Sequence, residues 1–186
     1  MTIGFALCGS YCTYDRVFPI IEALRKENKV IPILSEAAYA TDSRFGTAEH
    51  WKTRLEEICG CPPLHLISQV EPIGPKRLLD ILVIAPCTGN TLAKLAHSIA
   101  DGPVTMAAKS HLRNGRPVLV AVSTNDGLAG AGENIGRLLA RKHYYFVPFG
   151  QDDPLKKPTS LIADFAQIPQ AVEEAMAGQQ IQPMLL

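Results

Sequence analysis

The stretch Asp80-Ile-Leu-Val-Ile-Ala-Pro-Cys-Thr-Gly-Asn-Thr-Leu-Ala-Lys-Leu-Ala-His-Ser-Ile-Ala-Asp-Gly102 changes period halfway, and that change sets the fold class. Ile81 to Ala85 are apolar without a break, the pattern of a strand buried on both faces of a parallel sheet. Pro86 stops the run. From Thr91 the spacing is helical: Leu92, Leu95, Ala96 and Ile99 share one stripe, and Gly102 is expected to end it as a C-terminal glycine. The elbow between them, Pro86-Cys-Thr-Gly-Asn-Thr91, belongs at the carboxyl edge of the sheet, where the free N–H groups of a helix start attract anions. Thr88, Asn90 and Thr91 add polar side chains there, and Gly89 lets a ligand approach the backbone. Thr88 or Asn90 serves equally well as an ordinary helix cap, and both readings stand.

Working outward, Ile3-Gly-Phe-Ala-Leu-Cys8 reads as a first buried strand, turned by Gly9-Ser10 into a helix with Thr13 as N-cap and Val17, Ile20, Ile21 and Leu24 on its apolar stripe. Only one glycine is available at that turn. The Gly-x-Gly-x-x-Gly pattern of dinucleotide sites is therefore absent, and NAD binding on this chain is disfavoured. A mononucleotide phosphate against Gly9 and Ser10 fits the turn, as does a plain strand-to-helix connection. Lys29 to Leu34 is a second strand, and Ser35 at its end faces the same edge.

A polar loop, Thr41 to Thr47, carries Arg44, whose planar guanidinium suits a substrate carboxylate or simply solvent. A helix follows from Ala48 to about Ile58, then a short strand, Leu64 to Ile67, carrying His65. Pro103 to Asn114 reads as a helix whose Lys109 and Arg113, with Arg116 beyond it, form a solvated face. Pro117 to Ser123 and Tyr144 to Phe149 are further strands. The segment Gln151 to Ser160, with Lys156 and Lys157, is either a closing loop over an anionic substrate or a connection. Phe165 to Met176 is a last amphipathic helix, and the tail after Gly178 is apolar enough to dock on a neighbouring protomer.

At 186 residues the chain is expected to be one domain, residues 1–186, burying roughly 70% of its unfolded surface. Eighteen basic residues balance eighteen acidic ones, which gives no reason to expect a nucleic acid or an anionic membrane as partner. With no charged amino-terminal segment ahead of an apolar core and no apolar run near ~18 residues, a cytoplasmic protein is expected. Five cysteines, with Cys59 and Cys61 too close for a Cys-x-x-Cys pair, suggest neither a disulfide framework nor a metal site. Alternating strands and helices then predict a three-layer α/β/α fold, Rossmann- or flavodoxin-like, with a mainly parallel six-stranded sheet.

The central stretch resembles the signature of the flavin-containing cysteine decarboxylase family, Ala-Pro-x-Ser-Ala-Asn-Thr. Ala85, Pro86, Asn90, Thr91, Ala93, Lys94, Ala96 and Asp101 stand at matching places, with Thr88-Gly89 replacing Ser-Ala. The resemblance implies FMN, held by Gly9, Ser10, Ser35, Thr88, Asn90 and Thr91. It also implies catalytic roles for His65, in the place of the family's active-site histidine, and for Asn125. Taken alone, a histidine in an apolar strand is more often structural. The family's Pro-x-Met-Asn is reduced here to Asn125, and its cysteine-containing flap near the C-terminus is missing, which puts cysteine decarboxylation in doubt.

A narrower set of runs is similar to the B-subunit family of dipicolinate synthases: Ser123-Thr-Asn-Asp-Gly127, Tyr145-Phe-Val-Pro-Phe-Gly-Gln-Asp-Asp153, Lys157-Pro-Thr-Ser160 and Gln179-Gln-Ile-Gln-Pro183. That resemblance spans the chain. It implies oxidation of a dihydro- or tetrahydrodipicolinate to dipicolinic acid in the mother cell of a sporulating bacterium. The A-subunit of such a synthase would be the partner and would carry NAD(P), and the chain would form homo-oligomers. Arg44 and Lys157 are the candidates for holding the substrate's carboxylates. The alternatives are an FMN-dependent decarboxylase of the phosphopantothenoylcysteine type and a non-catalytic assembly subunit.

Overall fold

The computed structural model describes residues 1–186. Four strands laid side by side carry the design: β1 (Thr2–Leu7), β2 (Lys29–Leu34), β3 (Ile81–Cys87) and β4 (Val118–Thr124), in the order β2-β1-β3-β4 and all parallel. All seven residues of β3 are buried, and so are the first six of β4, because helices cover both faces. Each of Ile81, Leu82, Val83 and Ile84 contributes roughly 1.5–3 kcal/mol by leaving water. Helices α1 (Tyr14–Arg25), α3 (Ala48–Cys59) and α8 (Ile168–Met176) pack together on one face. On the other lie α4 (Ile67–Val70), α5 (Gly89–Ala96), α6 (Pro103–Leu112) and α7 (Gly132–Leu139). A short α2 (Glu36–Ala40) follows β2. No helix is long and apolar enough to cross a membrane.

The sheet has seven strands rather than six, and it is mixed at one edge. The expected strand at Leu64 shrinks to one bridge, with the Leu64 N–H on Pro32 O at 2.9 Å and the Leu34 N–H on Leu64 O at 2.8 Å. The reason is Gln69, whose Oε1 takes the N–H groups of His65 (2.8 Å) and Leu66 (3.0 Å) that a strand would have paired, and so turns the chain into α4. At the other end, the run Tyr144 to Phe149 splits. β5 (Tyr144–Phe146) pairs with the first half of β4, then Pro148, which has no N–H to give, ends the ladder. The segment expected to be loop is a hairpin, β6 (Phe149–Asp153) and β7 (Lys157–Ala163), antiparallel to each other and to the end of β4. Thus β4 passes its free edge from β5 to β7 just where its carboxyl end reaches the surface.

One further expectation is corrected. α5 stops at Ala96, not at Gly102: Arg141 takes the carbonyls of Leu95 (3.1 Å) and Ala96 (2.5 Å), Ser98 turns into positive φ, and Ile99 is left 46% exposed. Gly102 instead opens α6 in an extended conformation. The tail docks on its own chain: the Phe149 N–H reaches Met184 O (3.0 Å), the Leu186 N–H reaches Phe149 O (3.1 Å), and Gln180 bonds both backbone groups of Phe146.

Candidate flavin site at the carboxyl edge

Three helices begin around one cavity of about 350 Å3. Its walls include Ser35, Glu36 and Ala37 at the start of α2, Thr88, Asn90 and Thr91 at the start of α5, and Gly102 to Thr105 at the start of α6. Each cap follows from local sequence. Ser35 Oγ accepts the Ala38 N–H at 3.2 Å, and Thr88 Oγ1 accepts the Thr91 N–H at 3.4 Å. That leaves the N–H groups of Gly89 and Asn90 without acceptors in the protein, at the positive end of the α5 dipole. The Asn90 side chain is exposed and has no partner. Lys94, on the same helix, also lines the cavity, its ammonium held by Asp101 at 2.9 Å; that contact keeps the Asp101 carboxyl below its ordinary range. Phosphate chemistry suits this donor set.

A second cavity, of about 340 Å3, adjoins the first along Gly9 and Thr88. The turn after β1 (Ser10, Tyr11, Cys12), the end of β4 (Ser123, Thr124, Asn125) and the β6–β7 hairpin (Asp152, Lys157, Ser160) enclose it. Ser10 Oγ and Ser123 Oγ, 2.7 Å apart, join the ends of β1 and β4 across its floor. Asn125 is fixed through its carbonyl, which accepts the Thr159 hydroxyl at 2.6 Å, leaving its amide to the solvent side. Lys157 forms an ion pair with Asp152 that raises its pKa.

Five of the six residues expected to hold a cofactor, Gly9, Ser35, Thr88, Asn90 and Thr91, line the first cavity; Ser10 lines the second, with Asn125 and Lys157. The structure does not bring His65 or Arg44 to either. His65 stacks on Tyr39 with ring centroids 3.7 Å apart, and the exposed Arg44 lies over the Phe45 ring at 4.8 Å. Phe45 does line the second cavity, because Gly46 folds its loop tightly over Trp51; a Cβ at Gly46 would come within 2.8 Å of the indole nitrogen. Thr91 is more a structural group than expected. It is 6% exposed and its hydroxyl is committed to Cys8 Sγ at 3.3 Å. The Cys8 thiol is pushed up to about 11 and that of Cys87 well above its ordinary value, both by burial, so neither is a nucleophile near neutrality.

The glycines separate two kinds of requirement. A Cβ at Gly89 would come within 2.6 Å of Thr124 Oγ1 and 2.8 Å of Asp126 Oδ1, so the fold itself needs that glycine. At Gly9 a Cβ would meet nothing closer than 3.5 Å, yet Gly9 borders both cavities. Two adjoining cavities of this size fall in the range of roughly 300–1,000 Å3 typical of small-molecule and cofactor sites. With phosphate donors in one and hydroxyl and amide groups in the other, the residues present fit a flavin mononucleotide. Sequence reading missed Lys94, Thr105, Ser123, Asp152 and Ser160. Asp152 and Ser160 lie on a hairpin whose polar strands carry no apolar alternation.

Known proteins are similar to this chain over nearly its whole length. The B-subunit of dipicolinate synthase from Bacillus subtilis (strain 168) is 47% identical over 185 residues, covering 99% of this chain and 92% of the relative. The crystal structure of the dipicolinate synthase B-subunit from Bacillus halodurans C superposes with a TM-score of 0.91 at 46% identity, covering 100% of this chain and 95% of that one. Burkholderia xenovorans DmrB in complex with FMN shares the fold at a TM-score of 0.70 and 18% identity, with 95% of each chain covered. A family model described as Flavoprotein matches residues 1–132, which take in the first cavity entirely and most of the second. On that match and on the full-length relative, the chain belongs to the flavoprotein family.

Proposed function

We propose that this chain is the FMN-binding subunit of a dipicolinate synthase, and that it works with the synthase's A-subunit in the cytoplasm of a sporulating cell. The observation that carries the cofactor is the convergence of three helix starts on a cavity lined by Gly9, Ser35, Thr88, Asn90 and Thr91. The reaction is supported by the full-length relative, whose name places it in a dipicolinate synthase.

Conversion of a dihydrodipicolinate into the aromatic dicarboxylate removes one hydride and one proton. A bound flavin would supply the hydride acceptor. The chain's own groups hold and orient. The open N–H groups of Gly89 and Asn90 and the Lys94 ammonium secure the phosphate end. Asn125 and the joined hydroxyls of Ser10 and Ser123 orient groups in the second cavity, and Lys157 offers its charge to a carboxylate there. The hairpin wall keeps water from one side of that cavity. His65, away from both cavities in its own chain, takes the proton in this reading only across a contact between copies; imidazole chemistry suits that transfer. The missing dinucleotide motif supports the part of this reading in which the A-subunit carries NAD(P).

Replacing Asn90 by alanine tests the elbow. Because the side chain is exposed and makes no hydrogen bond, and alanine is a good helix former, the melting temperature is expected to hold while FMN washes out during gel filtration. Retention equal to that of the parent protein would remove Asn90 and the α5 start from the site.

A further inference from the structure

A third cavity, of about 350 Å3, lies between the end of α5, the flank of α6 and the entry to β5; of its lining residues only Thr105 also touches the flavin cavity. Its floor is apolar: Leu95, Leu112, the Tyr144 ring, and Ile99, which the early end of α5 leaves 46% exposed. Its rim carries the cations Lys109, Arg141 and Lys142 beside the His143 ring, and no carboxylate lines it. Lys109 and Lys142 take part in no ion pair in the molecule. Arg141 cannot swing away, because its guanidinium is tied to Leu95 O, Ala96 O and Ser98 Oγ. An ion-pairing network with acids would explain such a cluster, but the acids are elsewhere: Asp101 is held by Lys94, and Asp80 by Arg116.

Tyr144 supplies the second observation. It is 9% exposed, and its hydroxyl has no hydrogen-bond partner in the protein. Yet it is not among the sealed polar atoms without a partner, which are only the Trp51 indole nitrogen and His111 Nδ1. A tyrosine buried to that depth ordinarily finds an acceptor for its O–H. Here the hydroxyl is open to the cavity, where a ligand can take its O–H in place of water. The adjacent fixed charge of Arg141 makes an anionic acceptor the favourable one.

We propose that this cavity is a second ligand site, for a small carboxylate with a planar apolar body, bound independently of the flavin. The body covers Leu95, Ile99 and Leu112, and the carboxylate takes the Tyr144 O–H and the charges of Lys109, Lys142 and Arg141. An inorganic anion would leave that floor wet, which is why the site is assigned to an organic one.

Calorimetric titration of the full chain with benzene-1,3-dicarboxylate tests this, using the parent protein, a Lys109→Gln/Lys142→Gln double variant and Tyr144→Phe. Saturable binding is expected, weakened about tenfold or more by the double substitution and about fivefold by Tyr144→Phe. Unchanged thermal melts would show that the folds are intact, since both lysines are exposed. Three results would each overturn the proposal: no saturable binding to the parent protein, equal affinity in the double variant, or, with excess FMN present to fill the phosphate end of the flavin cavity, inorganic phosphate binding as tightly as the dicarboxylate.

Discussion

Gly9→Ala is expected to weaken FMN binding at least about tenfold, some 1.4 kcal/mol, while leaving the melting temperature unchanged or slightly raised. The two effects separate because the added methyl would meet only ordinary contacts, Tyr11 Oη at 3.5 Å and the Ala37 Cβ at 3.6 Å, and the backbone there is not left-handed. Alanine stiffens the unfolded chain and strains nothing in the folded one. Within the site, however, residue 9 stands where the two cavities meet, so any side chain there narrows the passage a continuous flavin mononucleotide must occupy. Gly89→Ala provides the contrast. Its methyl would press on Thr124 and Asp126, so stability should fall along with binding. Equal FMN affinity in Gly9→Ala, measured by fluorescence titration, would show that the two cavities are not bridged by one ligand.

The largest effect on stability is expected from acid. His111, in the last turn of α6, is fully buried; its Nε2–H donates to Pro117 O at 3.0 Å, and its Nδ1 has no partner. Burial, with a smaller contribution from Arg116, brings its pKa down to about 4, against the opposing influence of the Pro117 carbonyl and Asp80. Between about pH 6.5 and 4 the unfolded chain therefore binds a proton that the folded chain refuses. Stability rises with pH across that window and is lost as pH falls, by up to about 1.4 kcal/mol per pH unit. From pH 7 to pH 5 the loss should approach 2 kcal/mol, or about 4–8 °C in melting temperature for a domain of this size. His111→Gln keeps a donor for Pro117 and has nothing to titrate, so its melting temperature should be flatter across the same interval. A parent and variant with parallel pH profiles would mean that His111 is not the responsible group.

What the sequence made legible is what burial writes into it. β1, β3 and β4 are unbroken apolar runs because helices cover both their faces, and the polar residues expected at their carboxyl ends do meet around the two cavities. What escaped depends on partners distant in the chain or on exposed surface. The end of α5 is set by Arg141, whose guanidinium reaches Ala96 from 45 residues away, so the stripe through Ile99 misleads. The strand at Leu64 fails because one glutamine side chain competes for its N–H groups. The β6–β7 hairpin is half-exposed and polar, so it carries no period-two signal, yet it forms a wall of the second cavity. Gly89 was read as room for a ligand; its immediate cause is the approach of Thr124 and Asp126.

In the proposed function this chain holds FMN at the carboxyl edge of its sheet and uses it on a dicarboxylate. The visible absorption spectrum of the protein, taken after incubation with excess FMN and gel filtration, tests it most directly. A second spectrum follows after anaerobic mixing with freshly generated dihydrodipicolinate in the presence of the A-subunit. The expected result is a flavin that stays with the protein and bleaches when the dihydrodipicolinate is added. A protein that emerges colourless contradicts the site, and a flavin that stays oxidised while dipicolinate forms with NAD(P) contradicts its use.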